Sequence, residues 1–293
     1  MTISSKVSIL DLQRKKAEGQ PITMLTAYDY PGAILADEAG IDVILVGDSL
    51  AMTVLGHPNT VAVTVDEMLH HCRAVARGAK RAFLVGDMPF MSYQIERGEA
   101  VRNAGCFLKE GSMDAIKLEG GREVADTVRA IVAAGIPVMG HIGLTPQSAT
   151  KLGGFKVQGK TAAAAQRLVE DALLLEEAGC FAIVLEAIPA PVGQAVSQKL
   201  TIPTLGIGAG PDCDGQVLVF HDVLGLFDRF TPKFAKRYAD LRQPILEALQ
   251  TYRREVETRE FPTPTHSFSI DEAELQLLNE RMAAKRSEWR ISK

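Results

Sequence analysis

No stretch of this 293-residue chain is apolar for long enough to cross a bilayer. The longest runs are strand-sized and broken by Gly, Asp or Pro, against the ~20 residues that a membrane helix needs. The polar start from Met1 to Lys6 lacks the apolar core of a signal peptide, so a soluble, cytoplasmic protein without a membrane partner is expected. Blocks of like charge are also missing. With 32 basic and 36 acidic residues, a net charge of -4 and a pI near 5.9, nothing draws the chain to nucleic acid. Its four cysteines, Cys72, Cys106, Cys180 and Cys213, show neither CxxC nor Cys/His zinc spacing, and a core this large needs no disulfide frame. There is no internal repeat. The Gly-rich segment Gly206-Ile207-Gly208-Ala209-Gly210 lacks the dinucleotide and Walker patterns and reads as a tight loop.

What the chain does have is a series of short apolar runs, each ended by an acid: Val43 to Asp48, Phe83 to Asp87, Ala115 to Glu119 and Ile183 to Glu186. Continuous apolarity and β-branched residues mark strands buried on both faces of a parallel sheet. Acids that recur at the same end of such strands gather on one side of the sheet. In a parallel barrel that side is the carboxyl-terminal mouth, where catalytic groups sit.

Strand-like runs at Ile22–Ala27, Val43–Gly47, Phe83–Asp87, Ala115–Glu119, Val138–Ile142, Phe181–Glu186, Thr204–Ile207 and Gln216–Phe220 alternate with helical runs at Pro31–Ala39, Val65–Ala79, Gly98–Glu110, Arg122–Ala134, Thr161–Ala178 and Gln194–Lys199. Eight strands with intervening helices predict an α/β fold, a (β/α)8 TIM barrel. Gly40, Gly135 and Gly179 fall just after a helix and before the next strand, as left-handed caps require. The last third is helical from Tyr238 to Glu257, breaks at Pro262 and Pro264, and resumes from Ser269, with a cap expected at Ser269-Ile270-Asp271-Glu272. We therefore expect one catalytic barrel over residues 1–268 and a C-terminal helical extension over 269–293, whose Leu275, Leu278 and Met282 form a packing stripe.

Asp48, Asp87 and Glu119 form an oxygen-rich set suited to a hard divalent cation such as Mg²⁺; the plain alternative is that each caps the helix after it. Lys117 lies two residues before Glu119 and shares its inward face. It would bind an anionic substrate group or form a Schiff base, unless it is only a structural ion pair with Asp87 or Glu119. Glu186 ends a strand, where it could act as a general base or cap a helix from Pro189 onward. Ser49 could donate to an oxyanion or cap a turn. His141, in Gly140-His141-Ile142-Gly143-Leu144, could contact substrate or be a core hydrogen-bonder. His70 and His71, inside a helix, read as surface residues.

Taken together, Leu25-Thr26-Ala27-Tyr28-Asp29, Gly47-Asp48-Ser49-Leu50, Gly86-Asp87-Met88-Pro89-Phe90, Lys117-Leu118-Glu119-Gly120-Gly121, Gly140 to Gln147, Leu185-Glu186-Ala187-Ile188-Pro189, Gly206 to Gly210 and Pro264 to Phe268 resemble the ketopantoate hydroxymethyltransferase family of pantothenate biosynthesis. The resemblance implies a (β/α)8 barrel that binds Mg²⁺ and moves a one-carbon unit from 5,10-methylenetetrahydrofolate to 3-methyl-2-oxobutanoate. It assigns Asp48, Asp87 and Glu119 to the metal, Asp48, Ser49, Asp87 and Lys117 to the oxo acid, and Glu186 to proton abstraction, with His141 beside them. It also implies a homo-oligomer, a decamer. Three alternatives compete with it: a metal-dependent C–C or C–P lyase of the isocitrate lyase and phosphoenolpyruvate mutase type, a Schiff-base aldolase using Lys117, and a barrel that has lost turnover.

Overall fold

Eight short parallel strands, β1 (Ile22–Thr26), β2 (Val43–Val46), β3 (Phe83–Asp87), β4 (Ala115–Lys117), β5 (Val138–Gly143), β6 (Ala182–Glu186), β7 (Thr204–Ile207) and β8 (Gly215–Leu218), pair in sequence order. β8 closes on β1 through the register Ile22 to Gly215. The computed structural model from which this is read describes residues 5–227 and 232–291; most of the Met1–Lys6 start lies outside them, as do Ser292 and Lys293. Helices α1 (Ile9–Ala17), α2 (Tyr30–Glu38), α3 (Leu50–Thr53), α4 (Val65–Gly78), α5 (Arg97–Lys109), α6 (Ala125–Ala133), α7 (Ala162–Glu177), α8 (Ala190–Lys199) and α9 (Phe220–Leu224) accompany the barrel, followed by α10 (Arg242–Glu257) and α11 (Glu272–Ile291). This is the expected TIM barrel. Gly40, Gly135 and Gly179 take the positive φ foreseen for the corners.

Two apolar clusters explain why the strands read as unbroken hydrophobic runs. Ile44, Val46, Leu84, Ile116, Leu118, Ile183 and Leu185 face outward and pack beneath the helices. Ile22, Met24, Val43, Leu45, Phe83, Val85, Ala115, Met139, Val184, Leu205 and Val217 alternate with them and fill the lumen. Both faces of β2 to β7 are buried, so the period of two is hidden there, whereas β1 and β8 expose Thr23 and Gln216.

Helix α1, absent from the sequence expectations, belongs to the lumen cluster through Leu12, which is 1% exposed. Burying one such leucine contributes about 1.5–3 kcal/mol. Ser8 caps this helix, with Asp11 closing the capping box. Its Lys15 and Lys16 reach acids at the amino-terminal end of the barrel. Asp42, just before β2, accepts from Lys15 Nζ at 2.7 Å and from the Thr23 amide and hydroxyl, each at 2.9 Å. Asp214, just before β8, repeats the arrangement with Lys16 at 2.7 Å, the Thr204 amide at 2.8 Å and the Thr204 hydroxyl at 2.9 Å.

The other differences are local. The last strand ends at Leu218 rather than Phe220, because Phe220 already opens α9. α8 begins four residues earlier than foreseen, at Ala190, behind Pro189. The chain divides into two compact units, Met1–Ala239 and Asp240–Lys293, and the boundary expected after Phe268 lies inside the second. There α10 is tied to the turn after it by the Tyr252–Phe261 ring contact at 5.9 Å and the Arg254–Glu260 ion pair at 2.9 Å. Asp271, not Ser269, caps α11, accepting from the Ala273 amide at 3.0 Å.

Candidate active site

Period-two alternation turns Asp87, Lys117, Glu119, His141 and Glu186 into the barrel at its carboxyl-terminal mouth, and Asp48 joins them from the turn two residues past the end of β2. All are deeply buried except Glu186. Lys117 Nζ donates to Asp87 Oδ1 at 2.7 Å and lies 4.0 Å from Glu119 Oε1. The Asp48 amide donates to Asp87 Oδ2 at 3.2 Å. His141 bridges the two ends of the cluster: its Nδ1 is 3.4 Å from Glu119 Oε1 and its Nε2 is 3.1 Å from Glu186 Oε2. Neither contact is aligned as a hydrogen bond, so both ring nitrogens and Glu119 Oε1 remain buried without a well-directed partner. Ser49 sits at the edge, its Oγ 2.8 Å from the Tyr28 hydroxyl.

Helix capping does not account for these acids. The N-cap residues of α3, α5, α6 and α8 are Ser49, Glu96, Val124 and Pro189, none with a side-chain cap bond, so Asp48, Asp87, Glu119 and Glu186 are left for other work. Lys117 does form the ion pair with Asp87, but one ammonium faces three carboxylates. His71 departs from the surface reading, since its Nδ1 lies 2.6 Å from the Tyr28 carbonyl oxygen; His70 is exposed.

Two residues escaped the sequence reading. Gln147, in a short 3-10 turn after β5, donates from Nε2 to Asp48 Oδ2 at 2.9 Å and to the Met88 carbonyl at 3.0 Å, while its amide donates to Glu119 Oε2 at 3.0 Å. Tyr93 donates its hydroxyl to Gln147 Oε1 at 2.7 Å and accepts from the Glu119 amide at 3.1 Å. Together they fix carboxylates from two different strands. Gln147 ends the Gly140–Gln147 motif, which was its only sequence signal; Tyr93 had none.

Backbone geometry positions Glu186. The adjacent Ala187 has φ +46, a conformation that residues with a Cβ seldom adopt. Across the strand pair Gly143 has φ +97, and a Cβ there would come within 2.2 Å of the Glu186 carbonyl oxygen. Only glycine lets the end of β5 approach Glu186 so closely.

Electrostatics set the mouth apart. Burial and the neighbouring Asp87 and Glu119 charges push the Asp48 carboxyl well above its usual range. Burial opposes the charged form of Lys117, but Asp87, Glu119 and Asp48 outweigh it and hold the amine protonated. The same contest, burial and Lys117 against Glu119 and Glu186, leaves His141 raised to about 9. A protonated, ion-paired lysine is a poor Schiff-base nucleophile, which counts against that alternative.

The donors suit Mg²⁺. Carboxylate oxygens in surplus over the one ammonium, together with the orphaned Glu119 Oε1, make a place for a hard cation. Among the described residues no group of three or more His, Cys, Asp or Glu side chains is placed to hold a metal ion by itself; Asp87 Oδ1 is engaged by Lys117 and Asp48 Oδ2 by Gln147. Mg²⁺ asks for no such cage, since it keeps waters and takes one or two carboxylates along with substrate oxygens. A cavity of about 380 Å³ at the mouth is lined by Asp48, Ser49, Lys117 and Glu186 and also by Val219, Asp222 and Phe234.

Known proteins share the fold and, much more closely, the sequence. The chain resembles phosphonopyruvate hydrolase in fold, with a TM-score of 0.60 at 15% identity, covering 96% of this chain and 98% of that one. The same enzyme in complex with oxalate and Mg²⁺ gives a TM-score of 0.58, also at 15% identity, over 96% and 98% of the two chains. Sequence relatives lie much nearer. The 3-methyl-2-oxobutanoate hydroxymethyltransferase of Syntrophobacter fumaroxidans is 59% identical over 94% of this chain and 98% of its own. That of Oleidesulfovibrio alaskensis is 61% identical over 89% and 91%. A family model described as ketopantoate hydroxymethyltransferase matches residues 6–264, and the chain belongs to that family of enzymes.

Proposed function

We propose that the protein is a 3-methyl-2-oxobutanoate hydroxymethyltransferase that uses Mg²⁺ and takes its one-carbon unit from 5,10-methylenetetrahydrofolate, yielding 2-dehydropantoate. The observation that carries the reading is the convergence of Asp48, Asp87, Lys117 and Glu119 in one buried cluster that His141 links to Glu186. Asp48, Asp87 and Glu119 would hold the cation. When bound, it supplies Lewis-acid polarisation of the oxo acid's keto group.

The chain's own groups do the rest. Lys117, kept protonated by its carboxylate neighbours, balances negative charge on the oxo acid and on the enolate derived from it. Ser49, held by Tyr28, offers a hydroxyl to the same end. A Glu186 carboxylate oxygen takes the proton from C3, and its angle is fixed by Ala187, Gly143 and His141. Both C–N bonds that hold the one-carbon unit to the folate break as water adds to it, the two water hydrogens passing to the folate nitrogens; C3 bonds to that carbon, the proton from Glu186 completes the product's hydroxyl, and tetrahydrofolate leaves. The buried setting keeps bulk water from the reacting carbon.

The lyase alternative is left with a likeness of fold alone. The same reading puts the protein in the cytoplasm as a homo-oligomer, with a decamer the size that the family resemblance implies. The test is exchange of the C3 hydrogen of 3-methyl-2-oxobutanoate for deuterium, followed by NMR with and without Mg²⁺. Exchange that requires both the cation and Glu186 is expected. A protein that turns over neither the exchange nor the folate-dependent reaction would overturn the reading.

A further inference from the structure

One carboxylate facing the cavity has no part in the chemistry above. Asp222, in α9 just beyond the end of β8, is 6% exposed and lines the cavity, and in the closed eight-strand order β8 stands across the barrel from β4, which carries Lys117. Arg237 acts on it as a positive charge, and its cavity wall is otherwise largely apolar, with Val219, Phe227 and Phe234 alongside. Phe234 is held in place by Gly208, where a Cβ would come within 2.6 Å of the ring; the Gly-rich loop thus makes room for an aromatic rather than for a phosphate. Lys233, also lining the cavity, is exposed at the rim.

This wall is wrong for the oxo acid. A small anion with no N–H donor is repelled by a carboxylate and gains little from an aromatic lining. A cavity of about 380 Å³ also falls in the range for a drug-sized ligand rather than a five-carbon acid. What the wall does match is a flat heterocycle with two N–H donors on one edge and a negative charge at its far end. A carboxylate accepts two parallel N–H bonds from such an edge, the apolar side chains cover its faces, and a rim lysine meets the distant anion.

We propose that Asp222 accepts hydrogen bonds from the 2-amino and N3–H groups of the folate pterin, with Phe234 and Val219 against the ring and Lys233 toward the glutamyl carboxylates. The assignment rests on the folate-dependent reading above and deepens it. Burial, only partly offset by Arg237, raises the Asp222 carboxyl above its ordinary range, which fits an acid that gains from added donors.

The test is binding of tetrahydrofolate, and of its analogue with the 2-amino group replaced by methyl, to wild type, Asp222→Ala and Asp222→Asn, measured by calorimetry. Wild type should prefer tetrahydrofolate about tenfold or more. Asp222→Ala should lose that preference and bind tetrahydrofolate about tenfold more weakly, while its affinity for 3-methyl-2-oxobutanoate changes less than about twofold. A variant that keeps the preference, or that weakens all three ligands alike, overturns the assignment in favour of a purely structural acid. Wild-type discrimination needs no variant to fold, and its absence alone defeats the proposal. If wild type binds no tetrahydrofolate at all, the fault lies instead with the folate-dependent reading.

Discussion

The acids at the two ends of the barrel are the same residues put to opposite uses. At the amino-terminal end each acid has donors ready. Asp37 accepts from the amides of Lys80, Arg81 and Ala82, and Asp42 from Lys15 and Thr23. Burial would raise both, yet these bonds hold them below the ordinary carboxylate range. At the carboxyl-terminal mouth, Asp48 is pushed the other way by burial and by its acidic neighbours. A folded state keeps acids of the first kind for stability and tolerates those of the second only where something else requires them.

The sharpest way to break the comparison is to neutralise one acid from each end. Asp48→Asn should lose on the order of 10³-fold in turnover while its melting temperature in chelator stays the same or rises, because the substitution relieves like-charge repulsion. A clear loss of stability would mean that Asp48 is a structural acid after all. Glu186→Gln tests the base separately: C3 exchange should fall about 10²–10⁴-fold, with oxo-acid binding measured by calorimetry retained.

Gln147→Ala probes the bracket between Asp48 and Glu119. Removing a group that orients carboxylates should cost about 10–100-fold in Mg²⁺ affinity or turnover. Mn²⁺ binding followed by electron paramagnetic resonance reads the first of these without catalysis, and unchanged affinity and rate would demote Gln147 to a loop anchor. Adding Mg²⁺ at about 100 times its dissociation constant should stabilise wild type by about 2.7 kcal/mol; a thermal-shift series would show no such gain in Asp48→Asn.

Asp42→Asn gives the smallest effect on function. Activity should stay within about twofold, while stability drops by about 1–3 kcal/mol at neutral pH. The folded pKa of Asp42 is depressed, so the charge contributes fully above the unfolded value of about 3.9 and is lost as pH falls through the lower folded one. Denaturant titrations of wild type and variant should therefore converge in acid; a gap that persisted would place the effect outside the charge.

Much of the mouth was legible because strand geometry leaves little choice. Once Lys117 and Glu119 lie two apart on a strand, both face inward, and Asp48, Asp87 and Glu186 are placed by where their runs end. Gln147 and Tyr93 could not be read in this way. They sit on loops, and their partners are set by distances across the fold rather than by any period. Asp222 was hidden by a boundary, since a strand extended to Phe220 gives no hint that the chain turns there and carries the acid toward the cavity. Helix α1 buries a single leucine, too weak a pattern to announce the helix.

That helix bears on how the mouth is reached. With Leu12 in the lumen cluster and Lys15 and Lys16 tied to Asp42 and Asp214, α1 packs against the amino-terminal end of the barrel, opposite the mouth. On the proposed reaction, an oxo acid held by the buried cluster enters before the folate that covers it and leaves, as the enlarged product, after that folate.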